Sequence, residues 1–171
     1  MTHAVLSIGS NLGDRLAHLQ SVVDGLDGCV RAVSPVYETD AWGGVEQGPF
    51  LNAVVIAEHP DRSPADWLRL GQEFEDAAGR VREIHWGPRT LDVDIVICRD
   101  GSEQIRSDDP WLTLPHPYAH LRAFVLIPWL AAEPDARLWV AGAEQPVPAL
   151  LAELDARERA GVRPTDLVLS R

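Results

Sequence analysis

Asp92 and Asp94 stand two residues apart in Leu91-Asp92-Val93-Asp94-Ile95, a run that reads as a strand. Side chains alternate across a strand, so both carboxylates take the same face. Two like charges that close repel, which raises a pKa or calls for a cation. Paired hard-oxygen ligands suit Mg2+, which takes one or two carboxylates and fills its remaining positions with water and substrate phosphates. Two solvated acids at a strand end would show the same spacing. Immediately upstream, Gly79-Arg80-Val81-Arg82-Glu83-Ile84-His85-Trp86-Gly87-Pro88-Arg89-Thr90 holds the densest basic cluster of the chain. Arg80, Arg82 and Arg89 either pair with Glu75, Asp76 and Glu83 on the surface or offer planar guanidinium forks to phosphate oxygens. A cation clamp beside arginines is the equipment a polyphosphate requires. The sequence has no Gly-x4-Gly-Lys-Ser/Thr loop, so a P-loop mode of phosphate binding is excluded.

A second group of residues suits a flat heterocycle. Phe50 and Phe124 are aromatics that either fill core or sandwich a ring, and the Asn52 amide offers a donor and an acceptor to a ring edge. Trp42 and Trp86 lie in glycine-containing loops, where they either pack down on the core or close over a ligand. His116, held between Pro115 and Pro117, and Arg122 are candidates for phosphate contacts. Gly9-Ser10-Asn11-Leu12-Gly13 is a glycine turn ahead of a helix, read mainly as backbone turn chemistry.

The elements that must position these residues follow from periodicity. His3 to Ile8 is a buried strand, and Leu12, Leu16, Leu19, Val22, Val23 and Leu26 recur at helical spacing. Arg31 to Thr39 and Phe50 to Ala57 read as strands. Ser63-Pro64 opens a helix that turns Trp67, Leu70 and Phe74 inward and stops near Ala78-Gly79. Residues 80–90 form a loop, and Leu91 to Cys98 is the fourth strand. The order β-α-β-β-α-β predicts an α+β, ferredoxin-like fold, a four-stranded antiparallel sheet with two helices on one face. Beyond it, Arg99 to Pro110 reads as a polar surface excursion, and Thr113 to Pro117 as extended chain. A helix spans His120 to Ala132 with Pro128 kinking it or limiting its start. A short strand covers Ala136 to Val140 and a last helix Pro148 to Arg159, with a tail that frays from Gly161. The 171 residues thus make one domain, 1–171, with a core at about 1–135 and a C-terminal helical extension at about 136–171.

Composition narrows the function classes. The net charge is −11, and all 15 basic residues are arginine, which argues against nucleic-acid or anionic-membrane partners. No apolar run reaches the roughly 18 residues of a spanning helix, and Met1 to Leu6 lacks the pattern of a signal peptide. A cytoplasmic location is the expectation, with Cys29 and Cys98 as reduced thiols.

Ordered blocks along residues 4 to 135 resemble the 6-hydroxymethyl-7,8-dihydropterin pyrophosphokinase family. They are Ile8-Gly9-Ser10-Asn11-Leu12-Gly13, Tyr37-Glu38-Thr39, Phe50-Leu51-Asn52-Ala53, Gly79-Arg80-Val81-Arg82, Trp86-Gly87-Pro88-Arg89-Thr90-Leu91-Asp92-Val93-Asp94-Ile95, and Leu114-Pro115-His116-Pro117 with Arg122-Ala123-Phe124. The resemblance implies transfer of the β,γ-diphosphate of ATP, as co-substrate, to the pterin hydroxymethyl group in folate biosynthesis, with release of AMP. It implies two Mg2+ ions on Asp92 and Asp94 and catalytic roles for Arg80 and Arg89. It implies pterin contacts from Thr39, Trp42, Phe50, Asn52 and Phe124. Around ATP it implies Gln72, Glu75, Arg82, Trp86, Ile95, Thr113, His116 and Arg122. His85 stands where many members carry arginine, Trp111 where some carry arginine, and Pro117 where some carry tyrosine. A monomer is the default expectation. The other reading is a catalytically silent ferredoxin-like nucleotide-binding or interaction module, and the retained acids and arginines argue against it.

Overall fold

Strand β1 (Thr2–Ser10) is the axis of the fold because both of its edges are paired, by β4 (Phe50–His59) and by β5 (Asp92–Asp100), each antiparallel. This double pairing carries extended backbone beyond the apolar run His3–Ile8. The computed structural model describes residues 1–41, 46–79 and 90–171. The expected loop at residues 80–90 therefore lies outside the described residues, except for Thr90.

Helix α1 (Arg15–Gly25) begins after Asp14, whose side chain accepts from Ala17 N at 3.1 Å. Leu12 precedes the helix and is 43% exposed, so the apolar stripe starts one turn later than its spacing suggests. Arg31 to Thr39 is two strands rather than one, β2 (Val30–Val33) and β3 (Tyr37–Thr39). Pro35 has no N–H to give to a ladder. Ser34 bridges the break, its Oγ accepting from Val54 N at 2.9 Å.

Helix α2 (Pro64–Ala77) has the expected start. Ser63 Oγ accepts from Asp66 N, and the Asp66 carboxylate accepts from Ser63 N, a reciprocal capping box. Trp67 is buried, with its Nε1 donating to Thr2 Oγ1 at 2.9 Å, and Leu70 and Phe74 are half-buried against the same core.

The polar stretch after Arg99 lies mostly exposed, as expected, and it is built from short strands. β5 continues to Asp100 and pairs with β6 (Glu103–Gln104), and β7 (Ser107–Asp109) pairs with β8 (Leu112–Leu114). Polar side chains signal exposure, yet the backbone donors beneath them still form ladders. A short 3-10 turn covers Ala119–Leu121, and α3 (Ala123–Ala132) follows. The interruption in this region is at Arg122, with φ −111° and ψ 103°, whereas Pro128 lies inside α3. A hairpin of β9 (Arg137–Val140) and β10 (Ala143–Pro146) comes next. The expected last helix is split into α4 (Val147–Glu153) and α5 (Ala156–Ala160) because Leu154 and Asp155 are extended. Asp155 caps α5, accepting from Glu158 N at 2.8 Å. The tail does not fray at Gly161: β11 (Val162–Pro164) pairs with β3, and Ser170 exchanges hydrogen bonds with Gln20.

The main sheet has seven strands in the order β11-β3-β4-β1-β5-β6, with β2 also on β4. Helices α1 and α2 cover one face, joined there by Ala4, Leu6 and Ile8. Helices α3 and α4 cover the other, where Val5, Val54, Val96 and Ile97 meet Leu126, Trp129 and Leu150. The sheet is thus sandwiched rather than covered on one side, and each fully buried Leu, Val or Ile contributes roughly 1.5–3 kcal/mol. The expected two-helix, one-sided layer underestimates this because α3 comes after the β-α-β-β-α-β series. Cys29 and Cys98 are free thiols, and burial pushes Cys98 up to about 12. Among the described residues no helix is long and apolar enough to cross a membrane.

Candidate active site

The register of the sheet lines up one row of residues at one end of the α3 face. Gly9 of β1 pairs with Asn52 on one side and with Asp92 on the other, and Thr39 pairs with Phe50. Paired residues share a face, as do residues two apart on a strand, so Asn52, Gly9 and Asp92 form a row with Thr39 and Phe50 beside it on the same face. Gly9 is the floor of this row. A Cβ there would come within 2.5 Å of Asn52 Nδ2 and 3.4 Å of Phe50 Cδ2.

Asn52 is buried and fixed. Its Oδ1 accepts from Thr39 Oγ1 at 2.6 Å, and its Nδ2 donates to Ile8 O at 3.2 Å. Thr39 is equally buried. A ligand edge that reaches Asn52 meets an amide whose orientation is already set.

A bulge in β5 places the acids. Leu6 pairs with Ile95, but Val5 pairs with Ile97, so Val96 and Ile97 both enter the α3-side core. Val93 and Ile95 enter the core under α2, which leaves Asp92 and Asp94 on the α3 face. The helix comes close to this strand: a Cβ on Gly71 of α2 would meet Val93 Cγ1 at 3.1 Å. Glu75 of α2, 3% exposed, accepts from Val93 N at 2.9 Å and so holds the strand between the two aspartates.

Burial first, and then the Asp92 charge and a hydrogen bond to Asp92, push the Asp94 carboxyl well above the usual carboxylate range, while Arg122 opposes the shift. Arg122 Nη1 lies 3.6 Å from Asp94 Oδ2, with 9% of its side chain exposed against 29% for Asp94. The Arg122 guanidinium also lies 5.3 Å from the Phe124 ring and 5.4 Å from the Tyr118 ring. Burial lowers the Arg122 pKa, against the opposing charges of Asp94 and Asp92. Two adjacent carboxylates, with the Arg122 guanidinium beside Asp94, are a donor set that fits Mg2+. Among the described residues no group of three or more His, Cys, Asp and Glu side chains has metal-holding geometry.

His116 N donates to Val96 O at 2.9 Å, along the outer edge of β5. Its Nδ1 accepts from Tyr118 N at 3.1 Å. Burial and the Arg122 charge pull its pKa down to about 4. The ring is therefore neutral at pH 7, with Nδ1 an acceptor and the proton on Nε2. Thr113 Oγ1 donates to Asp109 O at 3.1 Å across the β7/β8 turn.

The fold thus brings Thr39, Phe50 and Asn52 onto the same face as Asp92, Asp94, Arg122 and Phe124. Two expected nucleotide contacts stand apart from that face. Ile95 packs beneath α2 and is 6% exposed, and Gln72 is exposed on α2 one turn before Glu75. Trp42, Arg80, Arg82, Trp86 and Arg89 lie outside the described residues. Sequence reasoning took Gly9 for turn chemistry, whereas it is in mid-sheet register between Asn52 and Asp92. Its position directly after the apolar run was the available signal. Glu158, whose carboxylate accepts from Ala123 N at 3.1 Å, left no local signal.

The family model for 7,8-dihydro-6-hydroxymethylpterin-pyrophosphokinase (HPPK) matches residues 5–134. A 2-amino-4-hydroxy-6-hydroxymethyldihydropteridine pyrophosphokinase of Mycobacterium tuberculosis (strain ATCC 25618 / H37Rv) is 59% identical over 168 residues, 95% of this chain and 89% of the relative. The protein of that name from Mycobacterium leprae (strain TN) is 58% identical over 175 residues, 99% of this chain and 92% of the relative. The crystal structure of wild-type Plasmodium falciparum HPPK-DHPS with SDX-DHP superposes with a TM-score of 0.61 at 14% identity, over 90% of this chain. The chain spans about 43% of that longer polypeptide, and at this identity the likeness speaks for the fold alone. Matched over most of its length by the family model and by these relatives, the chain belongs to the 7,8-dihydro-6-hydroxymethylpterin-pyrophosphokinase (HPPK) family.

Proposed function

We propose that the row Asn52–Gly9–Asp92, with Thr39 beside it, is where this chain joins its two substrates. The chain is a pyrophosphokinase of folate biosynthesis: it transfers the diphosphate of ATP to the hydroxymethyl group of 6-hydroxymethyl-7,8-dihydropterin. The observation that carries the site reading is the register that sets a fixed amide and an acid pair on either side of a side-chain-free glycine. Asn52 and Thr39 take the polar edge of the pterin, and Phe50 and Phe124 flank its ring. Asp92 and Asp94 hold Mg2+, two ions with ATP bound, and the metal supplies charge neutralisation for the triphosphate. His116 offers Nε2–H, and Arg122 its guanidinium, to phosphate oxygens, while Glu75 keeps β5 in place. Gln72, Thr113 and the Ile95 backbone border the nucleotide. From the sequence, Arg80 and Arg89 face the transferred group, Arg82 the phosphates, Trp86 the nucleotide and Trp42 the pterin.

The pterin hydroxyl oxygen forms the new bond to the β-phosphorus. The bond from that phosphorus to the bridging oxygen on the α-phosphate breaks, AMP leaves with that oxygen, and the hydroxyl proton passes to water. Positioning and charge stabilisation carry most of such a transfer, so a strong general base is not required. A catalytically silent module would have no use for two half-buried like charges beside a fixed amide. AMP release from ATP and Mg2+ that depends on 6-hydroxymethyl-7,8-dihydropterin tests the reading, and ATP turnover indifferent to the pterin would overturn it.

We further propose a ferredoxin-like core at about residues 1–135, with residues 136–171 as an extension of the same single domain. The order of its first strands, β3-β4-β1-β5, supports this. The same proposal makes the protein a cytoplasmic monomer without nucleic-acid or membrane partners, which the net charge of −11 supports.

A further inference from the structure

A cavity of about 270 Å3 opens beside the pterin residues, lined by Thr39 and Phe124 on one side and by Arg157, Glu158, Gly161 and Val162 on the other. The second wall comes from beyond residue 134, where the family match ends. It is tied to the pocket at several points. Val162 pairs with Thr39. Asp40 N donates to Gly161 O at 3.0 Å. Arg163 reaches Asp40 Oδ1 at 3.0 Å and Glu38 Oε1 at 3.6 Å.

We propose that residues 155–163 complete the pterin pocket and that Glu158 is a positioning residue for it, a proposal that rests on the pyrophosphokinase reading above. Glu158 Oε1 accepts from Ala123 N at 3.1 Å. Ala123 is the first residue of α3, where backbone N–H groups have no intrahelical partner. It stands between Arg122, which meets Asp94, and Phe124, which lines the cavity. One carboxylate thus fixes the backbone that carries both side chains. Asp155 in turn orients Glu158 by accepting from its N–H at 2.8 Å. The Phe124 ring has to follow any shift of this backbone. The Arg122 guanidinium has further contacts that do not pass through Phe124, to Asp94 and to the Tyr118 ring. Loss of the Glu158 contact therefore reaches the pterin more than the nucleotide.

The test uses the full chain with Glu158→Ala, Glu158→Asp and Glu158→Gln. Binding of 6-hydroxymethyl-7,8-dihydropterin is titrated with Mg2+ and a non-hydrolysable ATP analogue, and the analogue is titrated alone. Glutamine keeps an oxygen acceptor at the same reach, whereas aspartate keeps the charge and withdraws it by one methylene. Loss of one such hydrogen bond should weaken pterin binding about 5- to 20-fold in Glu158→Ala and Glu158→Asp. Glu158→Gln should stay within about twofold of wild type, and affinity for the analogue should change less than affinity for the pterin. If alanine does not fold, the aspartate variant carries the comparison. Pterin affinity unchanged in Glu158→Asp, or pterin and analogue weakened equally, would overturn the proposal. AMP production by the wild-type enzyme in the same series reports separately on the activity itself.

Discussion

Gly9→Ala is the smallest change that probes the floor of the site. An alanine Cβ would meet Asn52 Nδ2 at 2.5 Å, where ordinary contact begins near 3.4 Å, so the amide must retreat by about 0.9 Å. Asn52 is not free to do so. The Thr39 hydroxyl holds its oxygen at 2.6 Å and the Ile8 carbonyl holds its nitrogen at 3.2 Å, both in buried surroundings. A retreat of that size breaks at least one of these bonds. A lost buried hydrogen bond costs roughly 1 kcal/mol, and leaving its partner unsatisfied brings the cost to about 2–3 kcal/mol. Placed on pterin binding, that is a loss of about 30- to 100-fold at roughly 1.4 kcal/mol per tenfold. The same overpacking lowers Tm by about 4–12 °C, since 1 kcal/mol moves Tm by about 2–4 °C in a chain of this size. Calorimetric titration of the pterin with Mg2+ and a non-hydrolysable ATP analogue measures the first effect, and a thermal melt the second. The analogue should bind alone with near-normal affinity. Pterin affinity within about threefold of wild type, with an unchanged melt, would show that Asn52 is not fixed as described.

Asp92→Asn and Asp94→Asn should each lower kcat with Mg2+ by about a hundredfold or more while the far-ultraviolet spectrum is unchanged, because each removes a charge that must meet cation and phosphate. In chelator, Asp94→Asn should melt higher than wild type at pH 7. The folded pKa of Asp94 is raised, so its favourable contribution is present below the unfolded value and is lost as pH rises. The advantage of asparagine should therefore shrink as pH falls toward 3.8. His116 titrates the other way. With a folded pKa near 4 against 6.5 unfolded, stability should be complete above pH 6.5 and fall as pH drops toward 4. The loss should be about 1–2 kcal/mol after allowance for solvent screening. Denaturant melts of wild type and His116→Asn in chelator across that range should converge as the wild type loses this contribution.

Local chemistry was legible wherever one short stretch decided it. The Ser63-Pro64-Ala65-Asp66 cap is visible because neighbours in sequence are also the interaction partners, and the strand from Phe50 onward shows as a continuous apolar, β-branched run. The shared face of Asp92 and Asp94 follows from strand periodicity alone. The bulge that ends this periodicity at Val96 does not, since it depends on how β1 pairs. The split of Arg31–Thr39 was signalled by Pro35 and outvoted by β-branched neighbours. The pairing of β11 with β3 joins residues more than 120 positions apart, and polar, proline-containing sequence gives no hint of it. Glu158 is hidden too, 35 positions from a partner that is a backbone N–H and carries no side-chain signature.

The row itself explains why a glycine belongs as the last residue but one of a strand that is paired on both edges, where glycine weakens the ladder. Neighbouring strands lie about 4.8 Å apart, so Asn52 and Asp92, one strand to either side of Gly9, are separated by roughly 10 Å across the sheet. In the proposed site the heterocycle and the phosphate would meet over that span, and any β-carbon in it would stand between them. β1 gives up a side chain there, and its two paired edges make up the cost. Seven further register positions tie β1 to β4 and β5 on the same residues, from Thr2 to Ile8, apart from the slip that the bulge introduces. The gap therefore stays open without loosening the strand, and the strand most firmly held in the sheet carries the least bulky residue of the site.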